Sequence, residues 1–221
     1  MIPLRDSRRT RRTPWATWAL AAACVALFVH ELRLGDALPG FLDRWAVTPA
    51  ALLHPAGAAA ALDAVARLFA SLFLHGSLLH LGGNLAFLLA FGDDVEDKLG
   101  SLRYLGFYFA CGVAATFGQA LLSPRSAVPL IGASGALAGV LGAFLVFFPR
   151  ARLSGVLPLG CLILPAKSRA FLFIPLWFLI QLLAGFVELG RVGESRGGVA
   201  WFAHLAGFLA GPQLAWLLRR R

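Results

Sequence analysis

A chain of 221 residues that is 59% hydrophobic and only 14% charged, with a mean hydropathy of +0.76, is too apolar to dissolve as a globule. Its apolar runs are long enough to cross a hydrocarbon core about 30 Å thick, so composition excludes a soluble enzyme or binding module and points to an integral membrane protein. The formal charge of +9 calls for no nucleic acid, because the basic excess gathers on one side of the bilayer once spans are drawn.

Taken in chain order, residues 1–13 read as a basic cytoplasmic tail. Ser7-Arg8-Arg9 resembles a twin-arginine signal and Ala21-Ala22-Ala23-Cys24 a lipoprotein cleavage site, but the hydrophobic spans that follow favour an uncleaved first helix. Residues 14–221 then form one membrane domain. Six spans are predicted: Trp15 to Val29, Phe69 to Phe91, Leu102 to Leu122, Ser134 to Phe148, Ala170 to Val187, and Val199 to Leu218. The connection from Leu32 to Leu68 carries Pro39, Pro49, Pro55 and the pair Arg44-Trp45, which suits an embedded, partly helical loop at the interface. Leu153 to Pro165 is apolar but broken by Gly155, Pro158, Gly160 and Pro165, and reads as an interfacial connection. The expected fold is therefore an all-α, six-transmembrane-helix bundle with an interfacial first loop, packed closely through its glycines.

Of the 20 basic residues, 14 fall on the side of the termini and 6 on the other, which places both termini in the cytoplasm. Abundant Ala, Leu and Arg with only two Lys suggest a bacterial inner membrane. Cys24, Cys111 and Cys161 lie in apolar surroundings at no metal-like spacing and read as small buried hydrophobes.

The second, fourth and sixth spans run in the same direction, so their amino-terminal parts share one depth. These parts hold His75, His80 and Asn84, then Ser134, then His204. Polar groups at membrane depth are costly and mark function. Gly135, Ala138, Gly139 and Gly142 on the fourth span, with Gly207 and Gly211 on the His204 face of the sixth, permit the close approach that a serine-histidine pair needs. No carboxylate is placed to orient the imidazole: Glu31, Asp36, Asp43, Asp63, Glu188 and Glu194 read as loop or helix-end residues, and Asp93, Asp94, Glu96 and Asp97 lie at the opposite face. The pattern predicts a dyad in which His204 takes the Ser134 proton and returns it to the leaving amine. His80 and Asn84 share a helical face and, with the Ser134 amide, suit donors to an oxyanion. On one continuous helix His75 and His80 would diverge by about 140°, a poor zinc face. No metal or other cofactor is expected.

The strings Leu74-His75-Gly76-Ser77-Leu78-Leu79-His80-Leu81-Gly82-Gly83-Asn84, Gly132-Ala133-Ser134-Gly135 and Ala203-His204-Leu205-Ala206-Gly207 together resemble the signature of rhomboid intramembrane serine proteases. The resemblance implies Ser134 as nucleophile, His204 as base, and His80, Asn84 and the loop backbone around Gly132 as the oxyanion site. It implies substrates that are transmembrane helices of other proteins in the bilayer, cleaved near the outer face at small residues. Arg67 matches the family's first-loop arginine, and Val95-Glu96-Asp97-Lys98-Leu99-Gly100 resembles the turn closing its second helix; both roles would be structural, as would that of His75. Two departures stand out: Ala66 replaces a tryptophan beside Arg67, and Ala138 stands where some members set an aromatic ring against the histidine. The alternative class is an inactive rhomboid-like protein that binds membrane clients; a transporter fits less well, because intramembrane polarity stops in the outer half.

Overall fold

In the computed structural model the described residues are 1–8, 10–159, 162–189 and 200–219. Arg9, Gly160, Cys161, Arg191, Glu194, Arg196, Val199, Arg220 and Arg221 lie outside them. Three stretches are long and apolar enough to cross a membrane, at 15–45, 101–122 and 170–187, and 134–147 is a shorter apolar helix.

Helix α1, Trp15–Leu34, stops at Gly35, whose φ of 50° ends the helix. The first loop is largely helical: α2 covers Leu38–Trp45, α3 Pro49–Leu53, and α4 Ala58–Ser71. Thr48 caps α3 by accepting from the Ala51 amide, with Pro49 in the first turn where no amide is missed. Helices α5, Leu78–Leu99, and α6, Ser101–Leu122, are joined through Gly100 alone. Gly100 has a φ of 83°, which a side chain would strain.

Glu96, near the end of α5, fastens three helices. Its carboxylate accepts from the Ala16 and Thr17 amides and the Thr17 hydroxyl of α1, and from the Ser101 hydroxyl of α6, at 2.6–3.0 Å. Arg67 on α4 donates to the Ala46 carbonyl at 2.8 Å and the Asp43 carbonyl at 2.7 Å. These bonds tie α4 to the end of α2 without the tryptophan that the resemblance leads one to expect at Ala66. The first loop is also joined to the segment that leads into α7, Ser134–Phe147, because the Leu130 amide donates to the Val47 carbonyl and the Ala50 amide to the Ser126 carbonyl.

Two sequence expectations need correction. The stretch from Phe69 to Phe91 is not one helix: α4 ends at Ser71, a turn carries His75, and α5 starts at Leu78 with Ser77 accepting from the His80 amide at 3.1 Å. The fold is also not all-α. The Leu153 to Pro165 region forms an antiparallel hairpin, β2 (Arg152–Leu159) and β3 (Leu162–Arg169), and β1 (Ile2–Asp6), inside the basic tail, pairs with β2 in the order β1-β2-β3. Strand pairing satisfies the backbone groups that glycine and proline leave without a helix. Arg8 then ion-pairs with Asp94 at 3.1 Å and lies 3.7 Å above the Phe148 ring, which holds the tail against α5 and the end of α7.

The core lies along α7, which is buried from Gly135 to Phe144. It packs between α5, α6 and α9 (Trp201–Leu218), while α8 (Ala170–Leu189) lies against α9. Small residues set the spacing. A methyl group on Gly207 would strike the Gly135 carbonyl, and one on Gly211 the Gly139 carbonyl, so α7 and α9 touch backbone to backbone and run in parallel.

Candidate active site

Ser134 is the first residue of α7 and is half-buried; His204 lies one turn into α9 and is 8% exposed. The glycine contacts between these helices bring the two side chains together, and Ser134 Oγ is 2.7 Å from His204 Nε2. The other ring nitrogen, Nδ1, is 2.6 Å from Oε1 of Gln181 on α8. A carboxamide oxygen only accepts, so Nδ1 carries the proton and Nε2 is left to accept from the serine hydroxyl. The start of α9 is itself held: Gln119 Oε1 on α6 accepts from the Phe202 and Ala203 amides at 3.1 and 3.2 Å. Ala138 brings no ring to the histidine, and other elements supply two. Trp177 of α8 lies with its centroid 6.0 Å from the imidazole, and Trp201 meets it edge-on at 6.2 Å.

Beside Ser134 the segment through Gly132 takes a φ of 112°, open to glycine and strained for other residues. A methyl group there would come 2.7 Å from His80 Cε1 and Nε2 and 3.6 Å from Asn84 Nδ2, so Gly132, His80 and Asn84 converge at the amino-terminal end of α7. The Gly132 amide donates to the Ser71 carbonyl at 2.9 Å and is thereby committed to holding the loop. The first amides of α7 have no acceptor within their own helix.

The break before α5 changes the place of His75. Its ring lies 5.2 Å from that of His80, edge to face, because it leaves the turn and not the helix. Its Nδ1 donates to the Phe73 carbonyl at 2.9 Å, which leaves Nε2 to accept from Asn84 Nδ2 at 2.9 Å. The His75 backbone amide donates to both carboxylate oxygens of Glu31 at 3.2 and 3.3 Å. Glu31 lies in the last turn of α1, at a helix end as expected from sequence, but it is 2% exposed and serves as a buried anchor. Among the described residues the His80 imidazole makes no hydrogen bond to protein, and no group of three or more His, Cys, Asp or Glu side chains converges to hold a metal ion.

Sequence reading missed Gln181 and Gln119. The signal was present, since Gln181 is the one hydrogen-bonding side chain besides Trp177 between Ala170 and Val187, and polar groups are rare inside spans. A group orienting a catalytic imidazole is ordinarily a carboxylate, and an amide does not carry that mark.

Comparison with known proteins assigns the chain to a family. The Rhomboid domain family matches residues 63–221. RHOMBOID-like protein 5 of Arabidopsis thaliana is 32% identical over 155 residues, 70% of this chain and 44% of that protein. Rhomboid-like protein 11, chloroplastic, of the same plant is 32% identical over 151 residues, 67% of this chain and 50% of that protein. Rhomboid protease GluP of Bacillus subtilis is 39% identical over 79 residues, 36% of this chain and 15% of that protein. The chain spans half or less of the length of these relatives. With its apolar helices and the family match over most of its length, the chain is a multi-pass membrane protein of the rhomboid family.

Proposed function

We propose that the chain is an intramembrane serine endopeptidase that cleaves transmembrane helices of membrane-protein substrates with Ser134 and His204. The observation that carries this reading is the 2.7 Å contact between Ser134 Oγ and His204 Nε2. As Oγ attacks the scissile carbonyl, its proton passes to Nε2 and the carbonyl electrons move to oxygen. The resulting oxyanion sits at the amino-terminal end of α7, where the first amides of the helix and its dipole favour negative charge. His80, and the second N–H of Asn84, supply further donors; Gly132 gives room for both and fixes the loop. Collapse of the intermediate breaks the C–N bond, and Nε2–H protonates the leaving amine. A water, deprotonated in turn by His204, then hydrolyses the acyl-serine.

In this reading α1, α5, α6, α7, α8 and α9 are the six spans, α2 to α4 form an interfacial loop, residues 1–13 form a basic tail and both termini are cytoplasmic. Helix α7 has 14 residues, about 21 Å at 1.5 Å per residue, which is shorter than a hydrocarbon core of about 30 Å. A helix that short leaves at least one end inside the hydrocarbon, and in this reading that end is its start, Ser134. The reaction calls for no cofactor or metal.

Incubation of the purified protein in detergent with a generic transmembrane substrate tests the assignment. Cleavage by the wild type and none by Ser134→Ala is the expected result; intact substrate with both, alongside retained substrate binding, would identify a client-binding rhomboid-like protein instead.

A further inference from the structure

The dyad has a third partner that sits on neither of its helices. We propose that Gln181 is the positioning residue of His204: its amide oxygen holds the imidazole as the Nδ1–H tautomer and aims Nε2 at Ser134. The inference rests on the proteolytic reading above and deepens it.

Its geometry is short and enclosed. Gln181 Oε1 lies 2.6 Å from Nδ1, with Gln181 and His204 each 8% exposed. Trp177 precedes Gln181 by four residues, so both project from one face of α8, and the indole flanks the ring whose nitrogen the amide engages. The Gln119 bonds to the amides of Phe202 and Ala203 fix the backbone from which His204 projects. Backbone, ring face and ring nitrogen are thus each set by a different contact.

The chemistry favours an amide here. An imidazole with its proton on Nε2 would donate to Ser134 Oγ and could not accept the hydroxyl proton, so one tautomer is competent. An acceptor at Nδ1 selects it. A carboxylate would do so too, but a buried charge is costly in an apolar bundle unless paired, whereas a carboxamide oxygen accepts the same bond without a charge. Facing His204, α7 presents Ser134, α8 presents Gln181 and Trp177, and α5 presents His80; among the described residues no carboxylate hydrogen-bonds the ring.

The test uses the full chain in detergent and measures three quantities. These are the rate at which a fluorophosphonate probe labels Ser134, kcat and KM for a transmembrane substrate, and Tm. Gln181→Leu, which keeps bulk and removes the acceptor, is expected to lower both labelling and kcat by about 10–10³-fold with KM and Tm near wild type. Gln181→Glu, which keeps an acceptor oxygen, is expected to restore most of both rates. Labelling of Gln181→Leu at the wild-type rate per folded molecule would overturn the assignment, as would an equal loss in Gln181→Glu; should Gln181→Leu fold poorly, Gln181→Met is read by the same criteria. Wild-type protein that neither labels at Ser134 nor cleaves would overturn the proteolytic reading itself, and the positioning role with it, which is a different result from a defect confined to the variants.

Discussion

Hydrogen bonding divides the candidate oxyanion residues into two kinds. Asn84 spends one N–H on His75, whose ring is locked by the Phe73 carbonyl, so in the proposed mechanism this amide is both a donor to the site and a structural tie. The His80 imidazole has no such bond among the described residues and faces the space beside Gly132. His80→Ala is therefore expected to lower turnover by about 10²–10³-fold with Tm nearly unchanged. Asn84→Ala should lower turnover and also destabilise the fold by about 0.6–2 kcal/mol, because it strands His75 Nε2 in a buried position. Thermal unfolding beside turnover per folded molecule checks both; normal turnover in His80→Ala would remove it from the oxyanion site. Ser134→Ala and His204→Ala should each abolish cleavage, and the double variant should be no worse than either, since the pair acts as a unit. Activity surviving in Ser134→Ala would refute the nucleophile. At this scale, reactive residue types at one depth in apolar segments made Ser134, His204, His80 and Asn84 legible from sequence. The Glu31 and Gln181 contacts were not, because each depends on which side chain of a distant helix faces inward.

Helix packing turns those residues into a site. The contacts between Gly207 and the Gly135 carbonyl, and between Gly211 and the Gly139 carbonyl, involve backbone on one side, and a backbone carbonyl cannot swing away as a side chain can. Gly207→Val should accordingly push α9 from α7, cost about 1–3 kcal/mol through overpacking, and depress activity beyond the loss of folded protein, because it lengthens the Ser134–His204 contact as well. Tm and fluorophosphonate labelling per folded molecule report the two effects separately. A variant that loses Tm alone would show that the dyad tolerates the displacement. The glycines at three- and four-residue spacing announced this face in the sequence. The same periodic reasoning failed at Phe69 to Phe91, where apolar residues continue through a turn; the break is set by the Ser77 cap and by the bond from the Gly132 amide to the Ser71 carbonyl, a contact across 61 positions that hydropathy does not register. At 152–169 the glycines and prolines announced a connection and not a span, but its hairpin form rests on pairing with the distant residues Ile2–Asp6, which the local sequence does not show.

Over the whole molecule, direction decides whether the chemistry is possible. Helices α5, α7 and α9 meet at their amino-terminal ends, where His80 with Asn84, Ser134 and His204 converge, while Glu96 near the far end of α5 fastens the starts of α1 and α6. The bundle therefore has a reactive end and a fastened end, and the basic residues locate them. From the sequence, 14 of 20 are expected on the side of the termini, and Arg8 of the amino-terminal tail reaches Asp94 near the fastened end. Because the side richer in Lys and Arg stays in the cytoplasm, the reactive end should face outward. Reporters fused after Arg12 and after Arg221 are expected to read cytoplasmic, and one inserted near Ala58, in the loop between α3 and α4, external. A cytoplasmic reading at Ala58 would invert the bundle and place Ser134 in the inner leaflet, so that substrates would be cut near their cytoplasmic ends. An external reading after Arg221 with a cytoplasmic one after Arg12 would require an odd number of spans. Because α7 and α9 run in parallel with α8 between them, the miscount would lie before α7, and Ser134 and His204 would sit together in the inner leaflet.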